Sequence, residues 1–446
     1  MDEALQNEFF AKEKISRILW KLAPPVMFAL LIQALYNIVD SFFVGLYSVD
    51  GLTALSVIFP VQFIAISVAV GTGVGVNTYM ARKYAQGKVQ DADDAAGTGM
   101  VLELFSWMIF AVLCYFFMRP YVLTSASEQG AIEAAVVYGN IVCVGSIGIF
   151  LEGNWTKVQQ AQGKMRVPMV AQVVGALVNI ALDPLLIFGW HFIPALGIAG
   201  AGYATVIGQL AAAAITFFQG YRRPPASFAA FLHYAKRIYF YGYAYIIMMA
   251  TCTIYIVWLN VILATFSDAA VTVLGLYYKL QTFFFIPLFG LCTCIVPVLS
   301  FNYTRRAFGR CRELIRQSCY ISAAFMVVGF VAFFFFPHQV MNIFSHDAKV
   351  HEIGAVAFPI IGTSFFSAVF SLMMPNAFQA IGYGRTSTLL ALTRQIFTLM
   401  PSFWLLSLLG LNYTWIAFPF SETVAGGIGY YLYRRVTKTW TAAEKI

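Results

Sequence analysis

Charge is scarce in this 446-residue chain: Asp, Glu, Lys and Arg together make up 11% of it. With 60% hydrophobic residues alongside, that scarcity excludes a soluble globular domain. Histidine is rarer still, with five copies, and none lies deep in an apolar run, so the His-rich metal motifs of membrane enzymes are missing. The seven cysteines are scattered, apart from Cys292 and Cys294 on one apolar stretch. They indicate neither a disulfide framework nor a zinc site. The formal net charge of +8 invites a nucleic-acid partner. The basic residues, however, sit in short clusters between apolar runs, and no nucleic acid is expected. The opening residues, MDEALQNEFFAKEKISRILWK, carry too many charges for a cleaved signal peptide. They read as an amphipathic helix lying on a membrane surface.

What is present is long apolar sequence. Twelve segments, at 22–46, 52–80, 95–118, 132–155, 167–189, 196–220, 238–264, 271–300, 313–336, 354–378, 387–409 and 414–433, are each long enough to cross a ~30 Å hydrocarbon core. The fold expected is an all-α integral membrane protein. Basic residues mark alternate loops. Lys12, Lys14, Arg17 and Lys21 precede the first span, and Arg82, Lys83 and Lys88 follow the second. Lys157, Lys164 and Arg166 follow the fourth, Arg222, Arg223, Lys236 and Arg237 the sixth, and Arg305, Arg306, Arg310, Arg312 and Arg316 the eighth. Arg385 follows the tenth and Arg434, Arg435, Lys438 and Lys445 the twelfth, whereas the intervening loops hold only Arg119 and Lys349. The positive-inside rule then places both termini in the cytoplasm and the chain in the cytoplasmic membrane. Anionic lipid is the partner this basic charge implies.

The chain looks like one unit used twice. QAQGKMR at 160–166 returns as QAIGYGR at 379–385, 219 residues later (379 − 160). Gln62 falls on Gln281 and Gly71 on Gly290 at the same offset, and Ala85–Gly87 resembles Ala307–Gly309 at a slightly larger one. GYATVIGQ ending at Gln209 and WIAFPFSE ending at Glu422 also superpose. Six spans per half give both halves the same orientation. The division expected is an amphipathic segment at 1–21, a first six-helix lobe at 22–220, an inter-lobe connection at 221–237, a second lobe at 238–436 and a cytoplasmic tail at 437–446. In an apolar chain a duplication points to a transporter whose substrate site at the repeat interface opens alternately to each side.

An ionisable group at membrane depth is a functional hypothesis by default. Asp40, Glu103, Asp183, Lys279, Arg394 and Glu422 qualify. Asn179 precedes Asp183 by four residues, so the two share a helix face, and Pro184 frees a carbonyl beside them. With Asp40 from another helix and Thr205 from the sixth span, these oxygens suit a proton or a Na⁺ ion. The bland alternative is that Asp40 and Asp183 merely pin helices together. Across the repeat Asn179 and Asp183 fall on Thr398 and Ser402, and Asp40 falls near Leu263 with Asn37 close to Asn260. The second half therefore lacks this acidic cluster, so the first lobe is expected to hold the coupling ion, H⁺ or Na⁺, with no other cofactor. Glu422 matches Gln209 and Lys279 matches Pro60; the two could pair, or Glu422 could face substrate. Asn37, Gln62, Gln209, Lys279, Gln281 and Glu422 are the candidates for lining a substrate cleft. Arg394 is expected to snorkel to the inner interface, and Glu103, near an inner helix end, to be structural.

Weaker signals are discounted. GTGVGVN at Gly71–Asn77 has no strand before it and reads as small-residue helix packing. The sequon at Asn154–Thr156 falls on the cytoplasmic side. His346 and His351, beside Asp347 and Glu352, read as a solvated loop in preference to a metal site. Phe283–Phe285 are candidates to line a cavity for flat apolar ligands.

LYNIVDSFFVG, QAQGKMRVPM, NIALDPLLIFG, GIAGAGYATVIGQ and YYKLQTFFFIPLFGL, in this order over nearly the whole chain, resemble segments of the multidrug and toxic compound extrusion (MATE) family. The resemblance implies twelve helices in two pseudo-symmetric six-helix bundles with a central cleft. It implies efflux of small organic, often cationic, compounds in exchange for H⁺ or Na⁺, and it carries the family's first-lobe cation site onto Asp40, Asn179, Asp183 and Thr205. The family's acidic second-lobe site has no clear match, while Glu422 resembles an acid in the final helix of one bacterial branch. Nothing requires a partner chain, so a monomer is expected. Two other readings stand beside this one. One is a flippase for lipid-linked sugars, which favours a cationic cavity. The other is an intramembrane aspartyl enzyme using Asp40 and Asp183.

Overall fold

The structure, a computed structural model, describes residues 9–125, 128–190, 194–342 and 348–443. The first half runs α1 (Ile15–Tyr47), α2 (Val49–Ala85), α3 (Val89–Ser125), α4 (Gln129–Val144), α5 (Ile147–Ala161), α6 (Arg166–Ile187) and α7 (Ile198–Gly220). The second half runs α8 (Phe228–Ala264), α9 (Asp268–Phe284), α10 (Ile286–Thr304), α11 (Phe308–Phe335), α12 (Pro337–Asn342), α13 (Ala348–Gly362) and α14 (Phe365–Ala380). It closes with α15 (Gly384–Leu392), a π-helical turn (Thr393–Leu399), α16 (Met400–Ser407), α17 (Leu411–Thr414) and α18 (Ala417–Ala443). Each of the twelve expected spans falls on one helix or on consecutive helices. Among the described residues eight helices are long and apolar enough to span alone, two more spans are formed by α4 with α5 and by α15 through α16, and an eleventh by α13–α14, which bend by 56° at their junction. Glycines, tyrosines and the arginine pair dilute the apolar character of α18, the last span. The arrangement is a twelve-helix membrane fold in two bundles.

The repeat is visible in the turns. Gly163 ends α5 and Gly382 ends α14, with φ of 73° and 89°. Both turns close in the same way: Gly163 N–H donates to Gln160 O at 2.9 Å and Lys164 N–H to Gln159 O at 2.9 Å, as Gly382 does to Gln379 and Tyr383 to Phe378 at 2.9 and 2.8 Å. Glycine takes the left-handed conformation without a Cβ penalty, which is why QAQG returns as QAIG. At the same offset Gly87 (φ 72°) matches Arg306 (φ 58°). The structural partner of Gly87 is therefore Arg306, not the Gly309 that motif matching suggests, and Arg306 carries the strain of a left-handed non-glycine. The fourth and tenth spans also break at matched places. Ser146 Oγ donates to Cys143 O at 2.7 Å and Ser364 Oγ to Ile361 O at 2.6 Å, so each hydroxyl satisfies a carbonyl that the break frees.

Two compact units divide the chain, one of Pro24–Ile246 and one of Ile247–Ile446 with the N-terminal segment up to Ala23. In the first, Ile58, Met118, Val122, Tyr138 and Val142 form the main core. The GTGVGVN run is a packing stripe: a Cβ on Gly73 would stand 2.9 Å from the Gly153 carbonyl, and one on Gly75 3.1 Å from the Gly242 nitrogen. Asn154 of the sequon is buried, its Nδ2 donating to Ala96 O at 3.3 Å. In the second unit Phe333 stacks on Phe358 and meets Phe365, both at 4.9 Å, and Phe285 meets Phe365 at 5.0 Å. Phe285 is thus core rather than cavity lining. In the N-terminal segment, whose residues 1–8 lie outside the described residues, Phe10 is buried, as are Ile15, Ile18, Leu19 and Leu22 on one face of α1. Arg310 Nη2 holds the segment by donating to Phe10 O and Glu13 O at 2.9 and 2.7 Å.

Candidate functional site

α6 presents Asn179 and Asp183 on one face, four residues apart. Two glycines let α7 reach that face. A Cβ on Gly175 would stand 2.8 Å from the Gly208 carbonyl oxygen, and one on Gly208 2.7 Å from that of Gly175. This approach brings Thr205 to Asn179, whose Nδ2 donates to Thr205 Oγ1 at 3.4 Å. Asp40, from α1, faces the Asp183 carboxyl group. Tyr36 faces both acids, and Tyr138 from α4 faces Asp40 while touching Thr205 and Gln62.

Asp40, Asn179, Asp183 and Thr205 are all buried, and Asp183 has 0% exposure. Asp40 Oδ1, both Asp183 oxygens and Asn179 Oδ1 have no hydrogen-bond partner. A buried acceptor without a donor costs about 1–3 kcal/mol, and two facing carboxylates repel as well. The donor set therefore suits a species that brings positive charge: a proton shared by the acids, or a small hard cation that takes several oxygens. A set that merely pinned helices together would be satisfied by its own hydrogen bonds.

The second unit is different at the matching positions. Thr398 Oγ1 donates to Arg394 O at 3.0 Å and Ser402 Oγ to Thr398 O at 2.6 Å. Both hydroxyls are satisfied by their own helix, and Leu263 is buried. Glu422, on α18, takes Arg394 as its partner at 2.6 Å, in place of the Lys279 pairing that the spacing allowed. Arg394 does not snorkel; its side chain is 14% exposed and turned inward to that acid. Lys279 is exposed and Gln281 half-buried on α9. Asn37 is exposed one turn before Asp40, and Gln209 is half-buried one turn beyond Thr205 with Oε1 unpartnered.

Sequence reading passed over Glu152, on α5, which accepts from Thr156 Oγ1 at 2.6 Å and Gln172 Nε2 at 3.2 Å. An acid inside the fourth apolar segment was the available signal. Glu103 lies about four turns into α3 rather than near its end, fully buried with neither oxygen partnered. No group of three or more His, Cys, Asp or Glu side chains able to hold a metal occurs among the described residues. His351 lies on α13 with its Nδ1 3.4 Å from that of His338, while His346 and Asp347 fall outside the described residues.

The MatE family model matches residues 25–185 and 244–405, two stretches that begin 219 residues apart (244 − 25). The chain belongs to the MATE family. It is a membrane-embedded efflux transporter and not an enzyme, which removes the aspartyl-enzyme alternative. Among MATE relatives, the multidrug export protein MepA of Staphylococcus aureus is 24% identical over 420 residues, 91% of each chain. An FAD transporter of Shewanella oneidensis is 23% identical over 434 residues, 95% of each. A MOP superfamily transporter from Pyrococcus furiosus, described as having a binding pocket of reversed polarity, superposes with a TM-score of 0.90 at 20% identity, covering 97% of this chain and 98% of its own. A MATE structure in a bent conformation does so with a TM-score of 0.90 at 20% identity, over 99% of both.

Proposed function

We propose that this chain is a cation-coupled antiporter of the cytoplasmic membrane that exports small organic compounds by alternating access. Asp40, Asn179, Asp183 and Thr205 hold the coupling ion, H⁺ or Na⁺. The observation that carries the reading is the set of four buried, unpartnered oxygens on α1 and α6. Cation entry neutralises the facing acids and draws α1 toward α6, and cation loss restores their repulsion. The ion thus shifts the equilibrium of a helix, as any ligand with different affinity for two states must. The names of the relatives, multidrug export and FAD transport, support organic compounds as cargo. The basic loops support cytoplasmic termini, and the chain works as a monomer. A lipid-linked-sugar flippase would use a cationic cavity for phosphate, whereas the buried Arg394 is neutralised by Glu422.

Cells expressing wild type, Asp40→Asn or Asp183→Asn at equal membrane levels test this by accumulation of a fluorescent organic cation. Both variants should accumulate dye like cells without the transporter. Export equal to wild type by both would refute the coupling role.

A further inference from the structure

The second unit holds a buried charge pair that the coupling ion does not use. Arg394 Nε lies 2.9 and 3.0 Å from the two Glu422 oxygens, and Nη2 lies 2.6 Å from Oε1. Ser371 from α14 donates a further short hydrogen bond to Glu422. The side chains are 14% and 8% exposed. Such a pair adds little stability over an apolar pair of the same size, so stability alone does not account for it.

Its backbone setting is unusual as well. Arg394 belongs to the π turn Thr393–Leu399, a geometry concentrated at functional sites. Ser421 Oγ and Thr398 Oγ1 both donate to the Arg394 carbonyl, which fixes the turn. Across the repeat, Arg394 falls on Gly175 at the 219-residue offset, and Ser421 and Glu422 fall on Gly208 and Gln209 in the matched final spans. Where two glycines close the helix crossing in the first unit, the second unit places Arg394 and Ser421, with Glu422, the acid paired to Arg394, in the position of Gln209. Around it stand Cys252 and Tyr255 from α8 and Tyr277 and Tyr278 from α9. Two polar atoms beside the pair lack partners: Tyr278 Oη, and Oε1 of Gln395, a residue only 2% exposed.

We propose that Arg394 and Glu422 form a subsite for zwitterionic organic substrates. The substrate's carboxylate or phosphate exchanges for Glu422 on the guanidinium, and its cationic group takes Glu422. The flat body of the compound lies among the tyrosines, and Tyr278 Oη and Gln395 Oε1 meet its polar atoms. A purely cationic compound would leave Arg394 buried and unpaired, and a purely anionic one would leave Glu422 so. Only a compound carrying both charges leaves neither stranded. When no substrate is bound, the two residues satisfy each other.

The proposal deepens the efflux reading, and a binding measurement separates the two. The probes are rhodamine B, a zwitterion at neutral pH, and its ethyl ester, the same dye with the carboxylate masked. Both are titrated against the full-length purified protein by fluorescence polarisation. Wild type is expected to bind rhodamine B at least about tenfold more tightly than the ester. Arg394→Gln/Glu422→Gln, which keeps hydrogen-bonding groups in place, should bring the ratio to about one through loss of rhodamine B affinity, with ester affinity unchanged. Absence of rhodamine B binding, equal binding of both dyes by wild type, or a ratio that survives the double substitution would overturn the subsite. If wild type binds with the expected preference but no cation gradient moves the dye, the subsite stands and the antiport reading fails.

Discussion

Replacing Gly208 by alanine tests how the first-lobe site is built without touching a charged group. The new Cβ would stand 2.7 Å from the Gly175 carbonyl oxygen and 3.1 Å from Asn179 Cβ. A tolerable C···O contact is about 3.3 Å, so α6 and α7 must part locally by roughly 0.6 Å. The Asn179–Thr205 hydrogen bond is already 3.4 Å long, and the same movement takes it to roughly 4 Å, beyond hydrogen-bonding range. Overpacking of this kind costs about 1–3 kcal/mol. Gly208→Ala should therefore lower the thermal transition of the detergent-purified protein and weaken cation-driven transport, while membrane insertion stays normal. Gly427→Ala is the control. Nothing lies within 4 Å of its Cβ, and the substitution should be neutral or stabilising by up to about 1 kcal/mol. A Gly208→Ala protein with unchanged melting and transport would refute the idea that glycine contact positions Thr205.

Three further outcomes follow from the geometry. Arg394→Ala, which leaves Glu422 buried without its partner, should destabilise the protein by about 3–5 kcal/mol, while Arg394→Met/Glu422→Leu should be close to neutral; thermal unfolding in detergent separates the two. Arg310→Ala removes the donor to the Phe10 and Glu13 carbonyls, and limited proteolysis should then cut the N-terminal segment faster than in wild type, unlike Arg316→Ala. Arg306→Gly relieves the left-handed strain at φ 58° and should raise stability by roughly 1 kcal/mol, read as a higher melting temperature.

Much of this architecture can be read from residues alone, because bilayer thickness imposes a length and duplication imposes a period. The spans are legible as apolar runs, and the pairing of Asn179 with Asp183 follows from four-residue spacing on a helix. Asp40 is legible in the sequence as a second acid at membrane depth, but nothing in the chain's order says which two helices meet; the meeting of α1 and α6 is supplied by the fold. The breaks at Ser146 and Ser364 are hidden, as the apolar run continues through both. The π turn is hidden for the same reason, and with it the direction of Arg394: one extra residue in a turn changes which way a side chain points without changing composition. Gly87 and Arg306 show a further limit. They share a backbone conformation but not a side chain, so matching letters leads to Gly309 instead.

The central claim, that the four-residue cluster in the first unit carries the coupling ion, is tested most directly in liposomes. Purified wild type and Asp183→Asn would be reconstituted with a fluorescent organic substrate, under an imposed Na⁺ gradient or an imposed pH gradient. The account predicts that one of the two gradients drives substrate movement by wild type, and that Asp183→Asn binds substrate but moves none under either. Gradient-driven transport by Asp183→Asn at the wild-type rate would contradict it.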